Sequence, residues 1–234
     1  MIKGKIIVDD SLDPYKTLKS AHGLSIYIEG GGYRVLWDLG PDPEVLTYNL
    51  EKAGISISDI DMIFISHDHA DHYEGIKGLA NKVKGVPVYI PFGSSDYLKQ
   101  LIKKLGFEIR EVSSPTIISG NIMSIGQLYG PPYEHSLIVI DEYVSLFVGC
   151  SHPGITRIVD RAVIFGYRPD IIIGGFHLLN ATEDNVRRIL NDLIRKGVKK
   201  LSPIHCSGKI IVDLLKTKYE DYYMSLHLGS EFKF

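Results

Sequence analysis

The segment Ser66–His72 constrains this chain more than any other stretch. It contains three histidines and two aspartates within seven residues. Residues 60–65 before it form an apolar run that is typical of a buried strand, so the cluster lies where a strand leaves the core and opens into a loop. A solvated, histidine-rich turn is the alternative interpretation. Isolated histidines are usually structural, but a cluster at ligand spacing is typical of a metal site.

The spacing within this segment indicates two metal ions. Residues two apart in extended backbone point the same way, so His67 and His69 can share one ion. Asp71 and His72 stand at the start of a helix predicted over residues 73–81 and can face a second ion. Imidazole and carboxylate ligands together suit zinc, iron or manganese.

Three later segments share one sequence pattern, in which a histidine closely follows an apolar strand. They are Leu146–His152, Ile171–His177 and Leu201–His205. A rigid strand that delivers a polar side chain at its carboxyl end is a sound support for a metal or catalytic site. If each segment is considered separately, its histidine can instead be a structural residue that caps a strand or packs in the core.

The composition is that of an ordinary globular chain. Of 234 residues, 44% are hydrophobic and 23% are charged, and the net charge is −2, so bulk electrostatics favour neither a nucleic-acid nor a membrane partner. We find no signal peptide, no apolar run of about 18 residues and no disulfide framework. We therefore expect a cytoplasmic protein with one domain over residues 1–234.

Hydrophobic periodicity predicts strands that first follow one another and then alternate with helices, and this order occurs twice. Strands are predicted over residues 5–8, 24–29, 33–37, 60–65, 86–90, 108–112, 121–128, 136–140, 144–148, 170–173, 199–204 and 223–227. Helices are predicted over residues 43–53, 73–81, 94–105, 155–165, 182–196 and 209–218. Gly30–Gly32 predicts a hairpin turn. The order suits two packed sheets with helices on both outer faces.

The segment Ser66–His72 resembles the His-x-His-x-Asp-His motif of the metallo-β-lactamase superfamily. That resemblance implies an α/β fold, the αββα sandwich, in which two mixed sheets are flanked by helices and metal ions bind along one sheet edge. The strand pattern permits this fold without establishing it.

Five segments together are similar to one group within that superfamily, the group named for 7,8-dihydropterin-6-methyl-4-(β-D-ribofuranosyl)aminobenzene-5′-phosphate synthase. They are His22–Ser25, Ser66–His72, Gly149–Ile155, Gly174–Leu178 and Ile204–Gly208. The similarity implies a dinuclear metal-dependent hydrolase or transferase that acts on a phosphorylated small molecule. Candidate substrates are dihydropterin pyrophosphate and an aminobenzene ribofuranosyl phosphate, in methanopterin-type cofactor biosynthesis.

The resemblance also implies which residues bind the metal ions. One ion is assigned to His67, His69 and His152. The other is assigned to Asp71, His72 and His205. Both are expected to be divalent, with zinc as the first choice and manganese, magnesium or iron as alternatives.

Two ligand positions stay open. Where the superfamily usually has a bridging aspartate, this chain has Cys150 between Gly149 and Ser151. Either the Cys150 thiolate bridges the ions, or hydroxide bridges them alone and Cys150 packs as a small buried hydrophobe, which we favour here. His135 is an alternative to His152 as third ligand of the first ion.

Four further residues are assigned to roles around the metal ions. Asp68 and His177 are expected to assist proton transfer, and His177 and His22 to contact the substrate. A metal-ligand role is the alternative for His177. Asp38 follows a strand and is expected to accept a hydrogen bond from a ligand imidazole, which would fix its tautomer.

The charge of such a centre indicates an anionic substrate. Asp71 is the only ionised residue among the six assigned ligands, so two divalent ions leave a residual positive charge that suits phosphate or pyrophosphate oxygens. The alternative is a di-iron redox protein or a non-catalytic ligand-binding member of the same fold, and metal analysis separates these hypotheses.

The double substitution His67→Ala with His69→Ala tests the first ion. It should remove one ion per chain and abolish activity, because two of three assigned ligands are lost. Metal analysis of the purified variant is the measurement, and full metal occupancy would rule out the assignment.

Overall fold

The computed structural model describes residues 1–83 and 85–234, and the described chain forms strands and helices in a repeated order. The strands are β1 (Lys3–Val8), β2 (Ser25–Gly30), β3 (Tyr33–Trp37), β4 (Met62–Phe64), β5 (Pro87–Pro91), β6 (Glu108–Val112), β7 (Thr116–Ser119), β8 (Ile122–Ser124), β9 (Leu128–Tyr129), β10 (Tyr133–Glu134), β11 (Leu137–Ile140), β12 (Val144–Val148), β13 (Ile171–Gly175), β14 (Lys200–Ile204) and β15 (Glu231–Lys233). The α-helices are α1 (Pro43–Lys52), α2 (Ala70–Tyr73), α3 (Asp96–Lys104), α4 (Ile155–Ile164), α5 (Glu183–Arg195) and α6 (Lys209–Thr217).

Two mixed sheets form the centre of the fold. In the described chain, the first sheet has the order β15-β1-β2-β3-β4-β5-β6, and the second has the order β14-β13-β12-β11-β8-β7. Strands β3 to β6 are parallel to one another, as are β12, β13 and β14. The remaining pairs within these two sheets are antiparallel.

Three layers of apolar side chains hold these elements together. Trp37, Phe64 and Phe147 are among the buried residues packed between the two sheets. Helices α1 and α3 cover the outer face of the first sheet, and α4, α5 and α6 cover that of the second. This arrangement confirms the predicted αββα sandwich. Within the described residues, no helix is long and apolar enough to cross a membrane.

The hairpin between β2 and β3 forms as the glycine run predicts. Gly30 pairs with Tyr33, so the loop has two residues, Gly31 and Gly32, with φ of 61° and 84°. Two consecutive positive φ values are required by the type I′ turn that matches the twist of a hairpin, and glycine adopts them without steric cost.

The helix predicted over residues 73–81 is wrong. Helix α2 begins and ends earlier, and a 3₁₀ turn follows over Glu74–Gly78. The N–H of Gly75 donates to the carbonyl of Gly40 rather than to a preceding turn of helix. A Cβ at Gly75 would lie 1.9 Å from the Leu39 carbonyl oxygen, so the segment is pressed against the chain after β3.

The strand predicted over residues 223–227 is also wrong. Tyr223 makes an isolated bridge to Leu201, and the last strand is β15, which pairs antiparallel with β1. The strand predicted over 121–128 divides into β8 and β9, because Gly126 bends the chain with a φ of 76°. Strands β7 and β10 were not predicted, since each is short and carries little periodic signal.

The substitution Phe147→Ala tests the packing between the sheets. Phe147 is fully buried, so the substitution should lower the free energy of unfolding by about 3–5 kcal/mol. The matched control is Phe165→Ala, because Phe165 is 43% exposed and its loss should cost under about 1 kcal/mol. Urea denaturation after chelation of metal ions is the measurement, and equal losses in the two variants would contradict the layer assignment.

Candidate metal centre

The first group of assigned ligands comes together at the carboxyl ends of β4 and β12. His67 Nε2 lies 3.1 Å from His69 Nδ1. The ring centroid of His152 lies 4.7 Å from those of both His67 and His69. One ligand atom from each of the three residues lies within 4.8 Å of the other two, so the three can face a single ion.

The second group of assigned ligands gathers around one carboxylate oxygen. Asp71 Oδ2 lies 3.6 Å from His72 Nε2 and 3.4 Å from His205 Nε2. His205 follows β14, whereas Asp71 and His72 stand in α2. The fold therefore brings residues more than 130 positions apart in the sequence to the same oxygen.

The two groups fit divalent metal ions. Ligand atoms at about 2.0–2.1 Å from one tetrahedral ion lie roughly 3.3–3.4 Å apart, close to the separations observed here. His152 Nε2 is buried and has no hydrogen-bond partner among the described residues, as expected for an atom that a metal ion would satisfy. Burial lowers the pKa of His152 to about 4 and holds the pKa of His67 well below its usual range, so both present neutral imidazoles.

Asp38 sets the orientation of two of these imidazoles. Its buried carboxylate accepts hydrogen bonds from Ser66 N (2.6 Å), Ser66 Oγ (2.7 Å) and His72 Nδ1 (2.7 Å). Ser66 Oγ in turn accepts a hydrogen bond from His67 Nδ1 at 2.9 Å. With both Nδ1 atoms protonated, His67 and His72 direct Nε2 toward the metal centre. The predicted hydrogen bond from a ligand imidazole to Asp38 is confirmed.

Glu134 supports the loop that carries His152, and sequence reasoning missed it. Its two carboxylate oxygens accept hydrogen bonds from Ser151 N and His152 N, both at 2.8 Å. Burial raises the pKa of Glu134 to about 7. A Cβ at Gly149 would lie 2.1 Å from Ser66 Oγ, so glycine lets the two strand ends approach each other.

Asp10 is the second residue that sequence reasoning missed. It follows β1 and accepts hydrogen bonds from His205 Nδ1 (2.8 Å) and His22 Nδ1 (2.9 Å). Burial opposes the charged imidazolium, but the hydrogen bonds to Asp10 and Asp71 raise the pKa of His205 to about 10. His205 must lose a proton to bind a metal ion, so metal affinity at this group should rise with pH. A pair of aspartates directly after a strand, Asp9-Asp10, was the available signal.

The residues assigned to substrate and proton transfer lie around the rim of the two groups. His22 Nε2 is 3.5 Å from Asp71 Oδ2, and its side chain is largely exposed. The ring of His177 lies 4.4 Å from that of His152, and a hydrogen bond to Cys206 raises its pKa. Asp68 accepts a hydrogen bond from Ser95 N through Oδ2, and its Oδ1 has no partner among the described residues.

His135 is wrong as an alternative metal ligand. Its Nε2 donates to the carbonyl of Ile65 at 3.0 Å, and its Nδ1 accepts from Ser124 Oγ at 3.0 Å. Its ring is fully buried against Trp37 and Phe64. With both nitrogens engaged in the layer between the sheets, His135 is a structural residue, and burial lowers its pKa to about 4.

Backbone strain concentrates at the carboxyl ends of the strands that build the centre. Non-glycine residues with positive φ occur directly after β3 (Asp38, 54°) and close after β12 (Ser151, 61°), β13 (His177, 52°) and β14 (His205, 50°). Each such residue costs about 1–2 kcal/mol. Such strained conformations are retained where many surrounding contacts hold the backbone in place, and they are common at functional sites.

Comparisons with known proteins agree with this geometry. Residues 33–127 match the family model described as beta-lactamase superfamily domain. The chain is 27% identical over 266 aligned positions to a 7,8-dihydropterin-6-methyl-4-(beta-D-ribofuranosyl)-aminobenzene-5′-phosphate synthase of Methanocaldococcus jannaschii, covering 92% of this chain and 90% of that protein. A crystal structure of a metal-dependent hydrolase of the beta-lactamase superfamily, Tm1679, superposes with a TM-score of 0.84 at 24% identity, covering 100% of this chain and 99% of that one.

The predicted resemblance to the metallo-β-lactamase superfamily is confirmed. A shorter stretch of 84 residues, 33% of the chain and 26% of the relative, is 36% identical to ribonuclease Z of Pyrococcus horikoshii. These similarities support divalent metal binding and enzyme activity.

Cys150 is the residue for which the sequence left open a role as metal ligand. It follows β12 and is 4% exposed, and its Sγ lies 3.3 Å from His72 Nε2. A hydrogen bond to Cys206 and burial hold the pKa of Cys150 above its usual range. Cys150 therefore presents a neutral thiol to His72 Nε2.

The substitution Asp38→Asn tests how the imidazoles are held. An amide cannot accept all three hydrogen bonds in the same way, so metal affinity should fall about 10–100-fold. Asp42→Asn is the matched control, because Asp42 caps α1 through Glu44 N and Val45 N and asparagine caps a helix equally well. Competition titration with a chelator is the measurement, and unchanged affinity in Asp38→Asn would contradict the assigned role.

Proposed function

We propose that this chain is a dinuclear metal-dependent enzyme acting on a phosphorylated small molecule. The observation that carries the proposal is the pair of ligand groups, His67 with His69 and His152, and Asp71 with His72 and His205, at one sheet edge. A mononuclear site would need only one of the two groups.

The residues on the rim suit proton transfer beside a phosphorylated substrate. When bound, two divalent ions would supply Lewis-acid stabilisation for negative charge on phosphate oxygens. A hydrogen bond to Cys206 raises the pKa of His177, and its ring lies beside His152, so His177 is placed to deliver a proton to a leaving oxygen. Asp68 Oδ1, which has no partner among the described residues, can accept a proton from an attacking nucleophile.

The specific reaction that we propose is the one suggested by the synthase from Methanocaldococcus jannaschii. The amine nitrogen of an aminobenzene ribofuranosyl phosphate attacks the methylene carbon of a dihydropterin pyrophosphate. The carbon–oxygen bond breaks and pyrophosphate leaves with the bonding electrons. The amine proton passes to Asp68, and His177 delivers its proton to the leaving pyrophosphate oxygen. Similarity across 92% of the chain supports this reaction, and hydrolysis of the same substrate by water is the simpler variant.

The alternative is a di-iron redox protein or a non-catalytic ligand-binding protein. Metal analysis combined with turnover separates it from the proposal. Zinc or manganese with release of pyrophosphate from the dihydropterin substrate supports the enzyme. A coloured di-iron centre in a fully loaded chain that turns over no phosphorylated compound would overturn it.

The substitution His177→Ala tests the proton-transfer role. It should lower kcat about 10²–10⁴-fold, flatten one limb of the pH–rate profile and leave both ions bound. His227→Ala is the matched control, because the His227 ring contacts Ser230 and belongs to neither ligand group. Pyrophosphate release is the measurement. An unaltered kcat in His177→Ala would assign proton transfer to another group.

A further inference from the structure

We infer that Tyr129 and Tyr133 form a subsite for a planar ring of the phosphorylated substrate. The inference rests on the proposed function and names the part of the substrate that the chain would hold beside the metal centre. The dihydropterin and the aminobenzene are the two ring systems in the proposed reaction. Both are flat, so either can stack on an aromatic side chain.

The two tyrosines stand side by side on one face of a short hairpin. Tyr129 in β9 pairs directly with Tyr133 in β10, so both side chains point to the same face. Their ring centroids lie 4.9 Å apart, and the ring planes make an angle of 56°. Leu128 and Glu134 form the neighbouring pair and face the opposite side, where both are buried.

The buried side of this hairpin is attached to the loop that carries His152. Glu134 accepts hydrogen bonds from Ser151 N and His152 N. Gly130 lies against the same loop, because a Cβ there would lie 2.2 Å from Pro153 N and 2.3 Å from the His152 carbonyl carbon. These contacts hold the hairpin, and with it the tyrosine pair, in a fixed position relative to an assigned metal ligand.

The Tyr133 ring also approaches the metal loop from another side. It packs over the backbone of Gly93, where a Cβ would lie 2.2 Å from a Tyr133 ring carbon. Two residues further along the chain, Ser95 N donates to the Asp68 carboxylate. The tyrosine pair is therefore connected to Asp68 on one side and to His152 on the other, beside the first ligand group.

Both tyrosine rings are open to solvent. Tyr129 is 54% exposed and Tyr133 is 37% exposed. The neighbouring ring of Phe92 is also exposed, but Lys99 Nζ lies 5.3 Å from its centroid. Among the described residues, no cation lies over either tyrosine ring in this way. Aromatic surface that is open beside a metal centre is suited to stacking with a flat ligand.

The metal centre and the tyrosine pair would hold opposite ends of one substrate. The anionic end belongs at the ligand groups, where bound cations stabilise negative charge. The uncharged ring belongs at the tyrosines, which offer a large and rigid contact surface. In the proposed reaction the methylene carbon that is attacked lies between the ring and the pyrophosphate, so holding both ends would orient that carbon for attack.

Three probes test the inference in the metal-loaded protein. The first is a dihydropterin joined to pyrophosphate through a methylene group in place of the ester oxygen, so that it cannot be cleaved. The second carries a 4-aminophenyl ring on the same linkage, and the third is inorganic pyrophosphate, which has no ring. Calorimetric titration measures the Kd of each probe in the parent and in the variants, after metal content has been checked.

The substitutions Tyr129→Leu and Tyr133→Leu remove a ring and keep an apolar side chain. Each should raise the Kd of at least one ring-bearing probe about 5- to 100-fold, and the probe affected identifies the ring that is bound. The Kd of inorganic pyrophosphate should change less than about twofold, since it makes no stacking contact. Tyr129→Phe and Tyr133→Phe keep the ring and should retain affinity. Tyr97→Leu is the matched control, because Tyr97 is 59% exposed on α3, outside the hairpin.

Unchanged affinity for both ring-bearing probes in the two leucine variants would overturn the inference. An equal loss for inorganic pyrophosphate would also overturn it, because the hairpin would then act only by positioning the His152 loop. Turnover of phosphorylated compounds is measured separately. A chain that turns over its substrate without a ring-specific loss refutes only the subsite, and an inactive chain that shows the ring-specific loss refutes only the proposed function.

Discussion

The carboxylate of Asp38 is the group on which the rest of the metal centre depends. A fully buried carboxylate is costly unless its oxygens are satisfied, and here they accept three hydrogen bonds from Ser66 and His72. These hydrogen bonds fix the loop that follows β4 and the tautomer of His72 at once. Because Ser66 Oγ also accepts from His67 Nδ1, one buried charge orients a residue of each assigned ligand group.

The sandwich supplies a surface on which such groups can meet. Strands β3 and β4 of the first sheet and strands β12, β13 and β14 of the second all end at the same edge, where ligands bind in parallel sheets. Trp37 Nε1 donates to the carbonyl of Val148 across the layer, so the ends of the two sheets are held in register. The positive φ values of Ser151, His177 and His205 then turn each chain sharply back toward the centre.

The fold and the ligand loops could be predicted because their signals are local. Apolar runs delimit β3, β6 and β12 at the residues observed. A histidine that directly follows such a run lies at the edge of the sheet. The prediction failed where tertiary contacts decide. Glu134 and Asp10 act through partners distant in sequence, and His135 looks like a ligand until its two hydrogen bonds in the core are known. Strand β15 is short and forms only because β1 offers an edge.

The central claim is that two ions bind at this edge, each to one ligand group. Anomalous scattering from crystals of the metal-loaded protein, recorded at the absorption edge of the bound metal, tests it most directly. The account predicts two peaks per chain, one bounded by His67, His69 and His152 and the other by Asp71, His72 and His205. A single peak, or a second peak displaced to the outer cluster of Asp10, His22 and His205, would contradict it.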